Sequence, residues 1–134
     1  MHKILFLCVE NSCRSQIAEA FAIKYGKNKV IAMSAGSRPS GIINETAILL
    51  MREFNYDLSS HQSSATYDLP EMKIHTMVSM GCGDSCPSII ADQKIEWDIP
   101  DPKDMEESEF LRVIEQIRCE VQKLIETIYI EHSL

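Results

Sequence analysis

Apolar residues fall into two patterns along this chain, helical stripes and short continuous runs. The clearest stripe lies near the C-terminus, where spacings of three and four residues place apolar side chains on one face of a helix. Its members are Phe110, Ile114, Ile117, Val121, Leu124 and Ile128. Similar spacing predicts a helix from Ser15 to Tyr25, ended by Gly26, and another that is capped by Asn44 and runs to about Asn55.

Four short runs that are mostly apolar are predicted to be β-strands. They cover Lys3 to Leu7, Lys29 to Ser34, Ile74 to Met80 and Lys94 to Ile99. Because strands alternate with helices, the sequence predicts right-handed βαβ units and a parallel sheet in an α/β fold. Ligands of such sheets bind at the carboxyl ends of the strands, so the loops after the first, third and fourth strands are expected to crowd one edge.

Length and charge narrow the classes of function. The chain has 134 residues, which suits one domain over residues 1–134. Its 13 basic and 20 acidic residues give a net charge of −7, which argues against a nucleic-acid surface. No stretch approaches the roughly 20 apolar residues of a membrane span, and no signal-peptide pattern is present. We therefore expect a cytoplasmic protein, whose five cysteines are more often catalytic, metal-binding or buried than disulfide-bonded.

The loop after the first predicted strand carries the strongest chemical signal. It reads Cys8-Val9-Glu10-Asn11-Ser12-Cys13-Arg14-Ser15. A short loop between a strand and a helix can turn successive backbone N–H groups inward, and the helix N-terminus adds partial positive charge, so residues 8–14 are a candidate oxyanion site. Arg14 can grip two oxygens of the anion, and the same field should stabilise Cys8 as a nucleophilic thiolate. Ser15 can donate a hydrogen bond to the sulfur.

Simpler explanations exist for the same residues. Cys8 could be a small buried apolar residue at a strand end, and Arg14 and Ser15 could be ordinary residues at a helix start. The strand–loop–helix context favours the functional interpretation. Asn11 is suited to hold the loop because asparagine tolerates left-handed backbone, and Cys13 is expected to pack inward with a structural role.

The segment from Cys8 to Ser15, continued by Gln16-Ile17-Ala18-Glu19-Ala20, resembles the signature of the low-molecular-weight protein tyrosine phosphatase fold. Within that fold the chain resembles the arsenate reductases that thioredoxin or a similar dithiol protein recycles. Further stretches that carry the resemblance are Ser34-Ala35-Gly36, Ser60-His61, Val78 to Pro87 and Asp101-Pro102. The resemblance implies a three-layer α/β/α domain with a four-stranded parallel sheet. It also implies that Cys8 is the nucleophile and that Arg14 binds the anion. Glu10 stands where the phosphatases usually have glycine, so its side chain is expected to point away from the anion.

A second thiol pair separates the two branches of that resemblance. Reduction of arsenate consumes two electrons, which two thiols supply when they form a disulfide, whereas a tyrosine phosphatase needs one reactive thiol. Cys82 and Cys86 are four positions apart, and glycines flank Cys82. The resemblance implies that Cys8 attacks arsenate, that Cys82 then attacks Cys8, and that Cys86 attacks Cys82. The order of Cys82 and Cys86 stays open, and thioredoxin or a glutaredoxin-like protein would reduce the final disulfide.

The resemblance also implies that Asp101, held between two prolines, donates the proton to the leaving oxygen. Asp98 is the second candidate acid, and Trp97 is expected to pack beneath this loop. His61 is expected to be a structural histidine with satisfied hydrogen bonds. Cys119, on the last predicted helix, is expected to be inert.

Three functions remain open at this point. The first is an arsenate reductase that needs no cofactor and for which phosphate or sulfate would mimic the substrate. The second is a tyrosine phosphatase that acts through a phosphocysteine at Cys8. The third is a non-catalytic regulator that binds an oxyanion or a metal, but a zinc clip at Cys82 and Cys86 would need Cys8, Cys13 or His61 to complete its four ligands. The sequence therefore predicts that the protein binds no metal ion.

Overall fold

The structure is a computed structural model that describes residues 1–81 and 89–132. Strands and helices alternate along the described chain, as the sequence predicted. In chain order they are β1 (His2–Cys8), α1 (Arg14–Gly26), β2 (Val30–Gly36), α2 (Glu45–Met51), β3 (Ile74–Ser79), β4 (Ala91–Glu96) and α3 (Glu107–His132). Three short 3-10 turns, at Arg52–Phe54, Leu58–Ser60 and Thr66–Asp68, lie between α2 and β3.

All strand pairs in the sheet are parallel, and the strand order is β2-β1-β3-β4. The α/β class and the four-stranded parallel sheet are thus confirmed. Cys8 at the end of β1 lies opposite Gly36 of β2, and Leu7 lies opposite Ser79 of β3. The carboxyl ends of these three strands therefore meet at one edge, where the loop that follows β1 has neighbours on both sides.

The larger core lies on the face of the sheet that carries Ile4 and Phe6, and it includes buried residues of all three α-helices. All six apolar residues of the predicted C-terminal stripe are buried in it. On the other face, Leu5 and Leu7 form a smaller cluster that loop residues such as Leu69 help to cover. No helix among residues 1–81 and 89–132 is long and apolar enough to cross a bilayer.

The second helix is shorter than predicted. Asn44 caps it as expected, because its side chain accepts a hydrogen bond of 2.9 Å from the backbone N–H of Ala47. The α-helix ends at Met51, however, and the chain tightens into a 3-10 turn that ends at Asn55, whose φ of +59° is left-handed. Phe54, predicted to lie on the buried face, is only partly buried and packs edge-on against Phe21.

The position of the fourth strand was predicted wrongly. Lys94 to Ile99 was expected, but β4 pairs with β3 from Ala91 to Glu96. It is an edge strand whose residues are mostly exposed, so its sequence lacks the apolar run of a central strand. Trp97 follows β4 directly, still donates its backbone N–H to the Ser79 carbonyl of β3 at 3.0 Å, and is buried with its ring against Phe6, the centroids 5.9 Å apart.

Candidate active site

A cleft of about 410 Å³ opens at the carboxyl edge of the sheet, and the loop between β1 and α1 forms much of its lining. Cys8 is the last residue of β1 and Arg14 is the first residue of α1, so five loop residues connect the two side chains. Residues 8–10 and 12–14 line the cleft. Asn11 does not line it, because this residue is fully buried.

Ser15 lies behind the Cys8 sulfur. Its Oγ is 2.9 Å from Cys8 Sγ, and it accepts a hydrogen bond of 2.8 Å from Asn11 Nδ2. An amide nitrogen can only donate, so the hydroxyl hydrogen of Ser15 is free to point at the sulfur. The Cys8 sulfur is therefore placed to accept a hydrogen bond from Ser15 on the side away from the cleft.

Asn11 organises the loop from inside. Its φ of +49° is left-handed, as predicted. Its Oδ1 accepts hydrogen bonds from the backbone N–H of Ser64 at 2.7 Å and from Gln16 Nε2 at 2.9 Å. Because a backbone N–H can only donate, the orientation of the Asn11 amide is fixed, and its nitrogen must face Ser15.

Gln16 extends this network to His61. Gln16 Nε2 also donates to the backbone carbonyls of Asn11 and Gln62, so its Oε1 faces His61 Nδ1 at 2.8 Å. His61 Nδ1 must then donate, and His61 Nε2 accepts from the Tyr56 hydroxyl at 2.6 Å. Both ring nitrogens have partners, and burial lowers the pKa of His61, which favours the neutral ring. His61 is thus a satisfied structural histidine, as predicted.

Gly36 supports the loop from the neighbouring strand. A Cβ atom at this position would lie 2.5 Å from the carbonyl oxygen of Val9 and 2.9 Å from the backbone nitrogen of Asn11. Both distances are too short for any real carbon contact, and both involve backbone atoms. The loop backbone therefore lies directly against Gly36, where only glycine leaves enough room.

Arg14 and Asp101 meet at the mouth of the cleft. Arg14 Nη1 donates to the carbonyl of Ile99 at 3.1 Å, and Arg14 Nη2 lies 3.8 Å from Asp101 Oδ2. The Arg14 side chain is 12 % exposed, whereas that of Asp101 is 48 % exposed. Asp101 therefore lies where a proton donor could reach an anion bound by Arg14 and the loop. Asp98, the other candidate acid, does not line this cleft.

Two further cations line the cleft, Arg38 and Lys103. Lys103 Nζ lies 3.7 Å from the Glu10 carboxylate, whose charge it offsets. Arg38 follows the end of β2, and its backbone N–H donates to the Val9 carbonyl at 2.9 Å. Neither cation was predicted to have a role. Arg38 could have been predicted to lie near the cleft, because it follows β2 and the carboxyl ends of parallel strands share one edge. Lys103 could have been predicted to lie there because it is two residues after Asp101.

The other cysteines have different surroundings. Cys13 is buried at the end of the loop, and burial together with the nearby Cys8 raises the pKa of its thiol, so it stays protonated. This fits the predicted inward packing. Cys119 is an exposed free thiol on α3. Cys82 and Cys86 lie outside the described residues. Among the residues that are described, no three histidine, cysteine or acidic side chains are grouped so that they could hold a metal.

Comparison with known proteins agrees with this geometry. The family model described as low molecular weight phosphotyrosine protein phosphatase matches residues 3–133. The chain belongs to this family. It is 34% identical over 131 residues to the glutaredoxin arsenate reductase of Synechocystis sp., with 96% of each chain covered. It is 38% identical over 128 residues to arsenate reductase 1 of Bacillus cereus, with 92% of this chain and 94% of the relative covered.

Solved structures of arsenate reductases also superpose well on this chain. An arsenate reductase in the phosphate binding state gives a TM-score of 0.87 at 32% identity, covering 96% of this chain and 99% of that chain. The thioredoxin-dependent arsenate reductase of Corynebacterium glutamicum gives 0.78 at 26% identity, covering 98% of this chain and 63% of that chain. The predicted resemblance to the phosphatase family and to its arsenate reductases is thereby confirmed.

Proposed function

We propose that this protein is an arsenate reductase in which Cys8 is the nucleophile and Cys82 and Cys86 supply the relay of thiols. The observation that carries the proposal is the position of the Cys8 sulfur, which lies on the cleft with Ser15 behind it and Arg14 beside the mouth. The relatives named arsenate reductases match this chain over most of its length. The relay needs cysteines that stay reduced between turnovers, a condition that the cytoplasm provides.

The first step would join Cys8 to arsenic. The backbone of residues 8–14 and the Arg14 guanidinium would bind arsenate, since N–H groups at a helix N-terminus and a planar cation suit a tetrahedral anion. The Cys8 thiolate would form an S–As bond while one As–O bond breaks. That oxygen would leave as water, with Asp101 as the proton donor.

The second step would transfer two electrons. The Cys82 thiolate would attack Cys8 Sγ, the S–As bond would break, and its electron pair would stay on arsenic and yield arsenite. Cys86 would then attack Cys82, which releases the Cys8 thiolate and leaves a Cys82–Cys86 disulfide. Thioredoxin or a glutaredoxin-like protein would reduce this disulfide by thiol exchange. The roles and order of Cys82 and Cys86 rest on the sequence resemblance, because both lie outside the described residues.

The lining of the cleft supports a small free oxyanion as substrate. None of the described residues that line it is aromatic, and its three cations, Arg14, Arg38 and Lys103, outnumber its two carboxylates, Glu10 and Asp101. An aryl ester would gain from an aromatic wall against its ring. A free dianion gains from cations instead. Phosphate and sulfate, which share the tetrahedral shape, are expected to compete with arsenate.

A tyrosine phosphatase is the second candidate, favoured by the description of the matching family. In that reaction Cys8 would form a phosphocysteine on transfer from an aryl ester, and water would then hydrolyse it. The site around Cys8, Arg14 and Asp101 would serve either reaction. The two candidates differ in redox chemistry, because only arsenate reduction consumes thiols.

The decisive experiment counts free thiols after arsenate is added to the fully reduced protein without an external reductant. We expect the loss of two thiols per chain and one equivalent of arsenite. Cys119→Ser should give the same two-thiol loss, whereas Cys8→Ser should lose none. An unchanged thiol count in the unsubstituted protein would rule out the reductase. Rapid hydrolysis of an aryl phosphate in a parallel assay would then favour the phosphatase. Coupled assays with thioredoxin and with glutaredoxin would identify the reductant.

A further inference from the structure

Gly81 follows β3 and lies against the guanidinium of Arg14. Its φ of +75° is in the left-handed region, which already favours glycine. A Cβ atom at this position would lie 2.3 Å from Arg14 Nη1, 3.2 Å from Cζ and 3.5 Å from Nη2. The shortest of these distances falls about 1 Å or more below an ordinary van der Waals contact. The guanidinium therefore occupies the space in which any other residue would have a side chain.

We propose that Gly81 is a positioning residue for the oxyanion, because its missing side chain leaves room for the Arg14 guanidinium at the cleft. The proposal rests on the proposed binding of an oxyanion by Arg14. It adds a determinant of anion affinity just after β3, outside the loop between β1 and α1. The determinant also directly precedes Cys82 in the chain, the first cysteine of the predicted relay.

The other contacts of Arg14 explain why a methyl group at position 81 would move the guanidinium. Arg14 Nη1 is held by the carbonyl of Ile99 at 3.1 Å, and Nη2 faces Asp101 at 3.8 Å. The methyl group of an alanine at position 81 would collide with Arg14 Nη1 and break the contacts of the guanidinium with the Ile99 carbonyl and Asp101. The long arginine side chain is the most flexible element in contact, so the guanidinium would shift before the backbone does. A planar fork that has shifted loses its paired alignment with two oxygens of an anion.

Gly41 provides a matched control for the backbone effect. Its φ is +80°, close to that of Gly81, so alanine at either position adopts the same unfavourable left-handed conformation. No atom lies within 4 Å of a Cβ built at Gly41. The two substitutions therefore share the backbone strain, and only Gly81→Ala adds a collision with Arg14.

The test is isothermal titration of the full-length reduced protein with inorganic phosphate. We expect Gly81→Ala to weaken phosphate binding by about tenfold or more, as for loss of one hydrogen bond to a charged group. Gly41→Ala should bind phosphate within about twofold of the unsubstituted protein, with a similar fall in Tm for both variants. Unchanged phosphate affinity in Gly81→Ala would overturn the proposal, as would an equal loss of affinity in Gly41→Ala.

Two further variants keep the test decisive. Gly81→Asn carries a Cβ but tolerates left-handed backbone, so it should fold even if Gly81→Ala does not, with the same loss of affinity. In an Arg14→Lys background, Gly81→Ala should change phosphate affinity less than about twofold, because the displaced guanidinium is gone. A further tenfold loss there would contradict the proposal. If the unsubstituted protein binds no phosphate, the proposed function itself fails, which is a separate outcome.

Discussion

The two sides of the Cys8 sulfur are built from different interactions. Behind it, Asn11, Ser15 and Gln16 are fully buried, and neutral hydrogen bonds of 2.7–3.1 Å join them to one another and to backbone groups. In front of it, charged side chains with 43–57 % exposure at Glu10, Asp101 and Lys103 form loose ion pairs of 3.7–3.8 Å. The inner side fixes the shape of the loop, whereas the outer side can attract an anion and exchange protons.

This contrast separates stability from chemistry. Buried polar groups that lose a partner destabilise the fold, because water cannot replace the missing hydrogen bond. Exposed ion pairs contribute little to stability, because water and salt screen them. Substitutions behind the sulfur should therefore reduce the free energy of unfolding, and substitutions in front of it should change turnover while the fold stays intact.

The largest effect is expected at Gln16. Gln16→Leu would leave the Asn11 and Gln62 carbonyls and the His61 Nδ1–H without their partner, because all three bond to this one amide. We expect the free energy of unfolding to fall by about 3 kcal/mol, measured by urea denaturation. Gln116→Leu, on the exposed face of α3, is the matched control and should change stability by less than about 0.5 kcal/mol. Equal free energies of unfolding for Gln16→Leu and Gln116→Leu would contradict the proposed contrast between the two sides of the Cys8 sulfur.

The next largest effect is expected at Asp101. Asp101→Asn should lower arsenate turnover by about 100-fold, as for loss of a general acid, with Tm nearly unchanged because the side chain is half exposed. Asp98→Asn is the control and should keep turnover within about twofold, since Asp98 does not line the cleft. The opposite result, a loss in Asp98→Asn alone, would reassign the proton donor.

The smallest effect is expected at Lys103. Its ammonium pairs with Glu10 at 3.7 Å, and both side chains are more than two-fifths exposed. Lys103→Met should raise the KM for arsenate by about twofold at low salt, with the difference disappearing at 0.5 M salt and with Tm unchanged. A tenfold change that persists at high salt would show that Lys103 contacts the substrate directly.

The sequence predicted those parts of the fold whose burial is regular. The C-terminal helix was found because one face is buried along its whole length, and β1 was found because this central strand is continuously apolar from Ile4 to Cys8. The fourth strand was misplaced because an edge strand lacks that signal, while the buried residues Trp97 and Ile99 lie beyond the end of β4. Residues that are buried by loop packing follow no regular spacing along the chain, so their burial cannot be predicted from a periodic pattern.

The site was predictable where its residues are close in sequence. The loop from Cys8 to Arg14 was visible because strand, loop and helix follow one another along the chain. The bond between Gln16 and His61 joins residues 45 positions apart, and the role of Gln16 left no local pattern. The contact between Gly81 and Arg14 was likewise hidden, because it depends on the three-dimensional path of β3 and not on composition.

The close approach of the Val9 carbonyl to Gly36 limits how this loop could be transplanted. A segment copied from Cys8 to Ser15 into another parallel sheet would need a glycine on the adjoining strand, in register with the cysteine. With alanine at that position, the Cβ atom would displace the transplanted loop outward and change the curvature of the loop. The eight-residue motif is therefore not sufficient by itself to form this loop, and a distant ninth residue, the glycine at position 36, must be transferred with it.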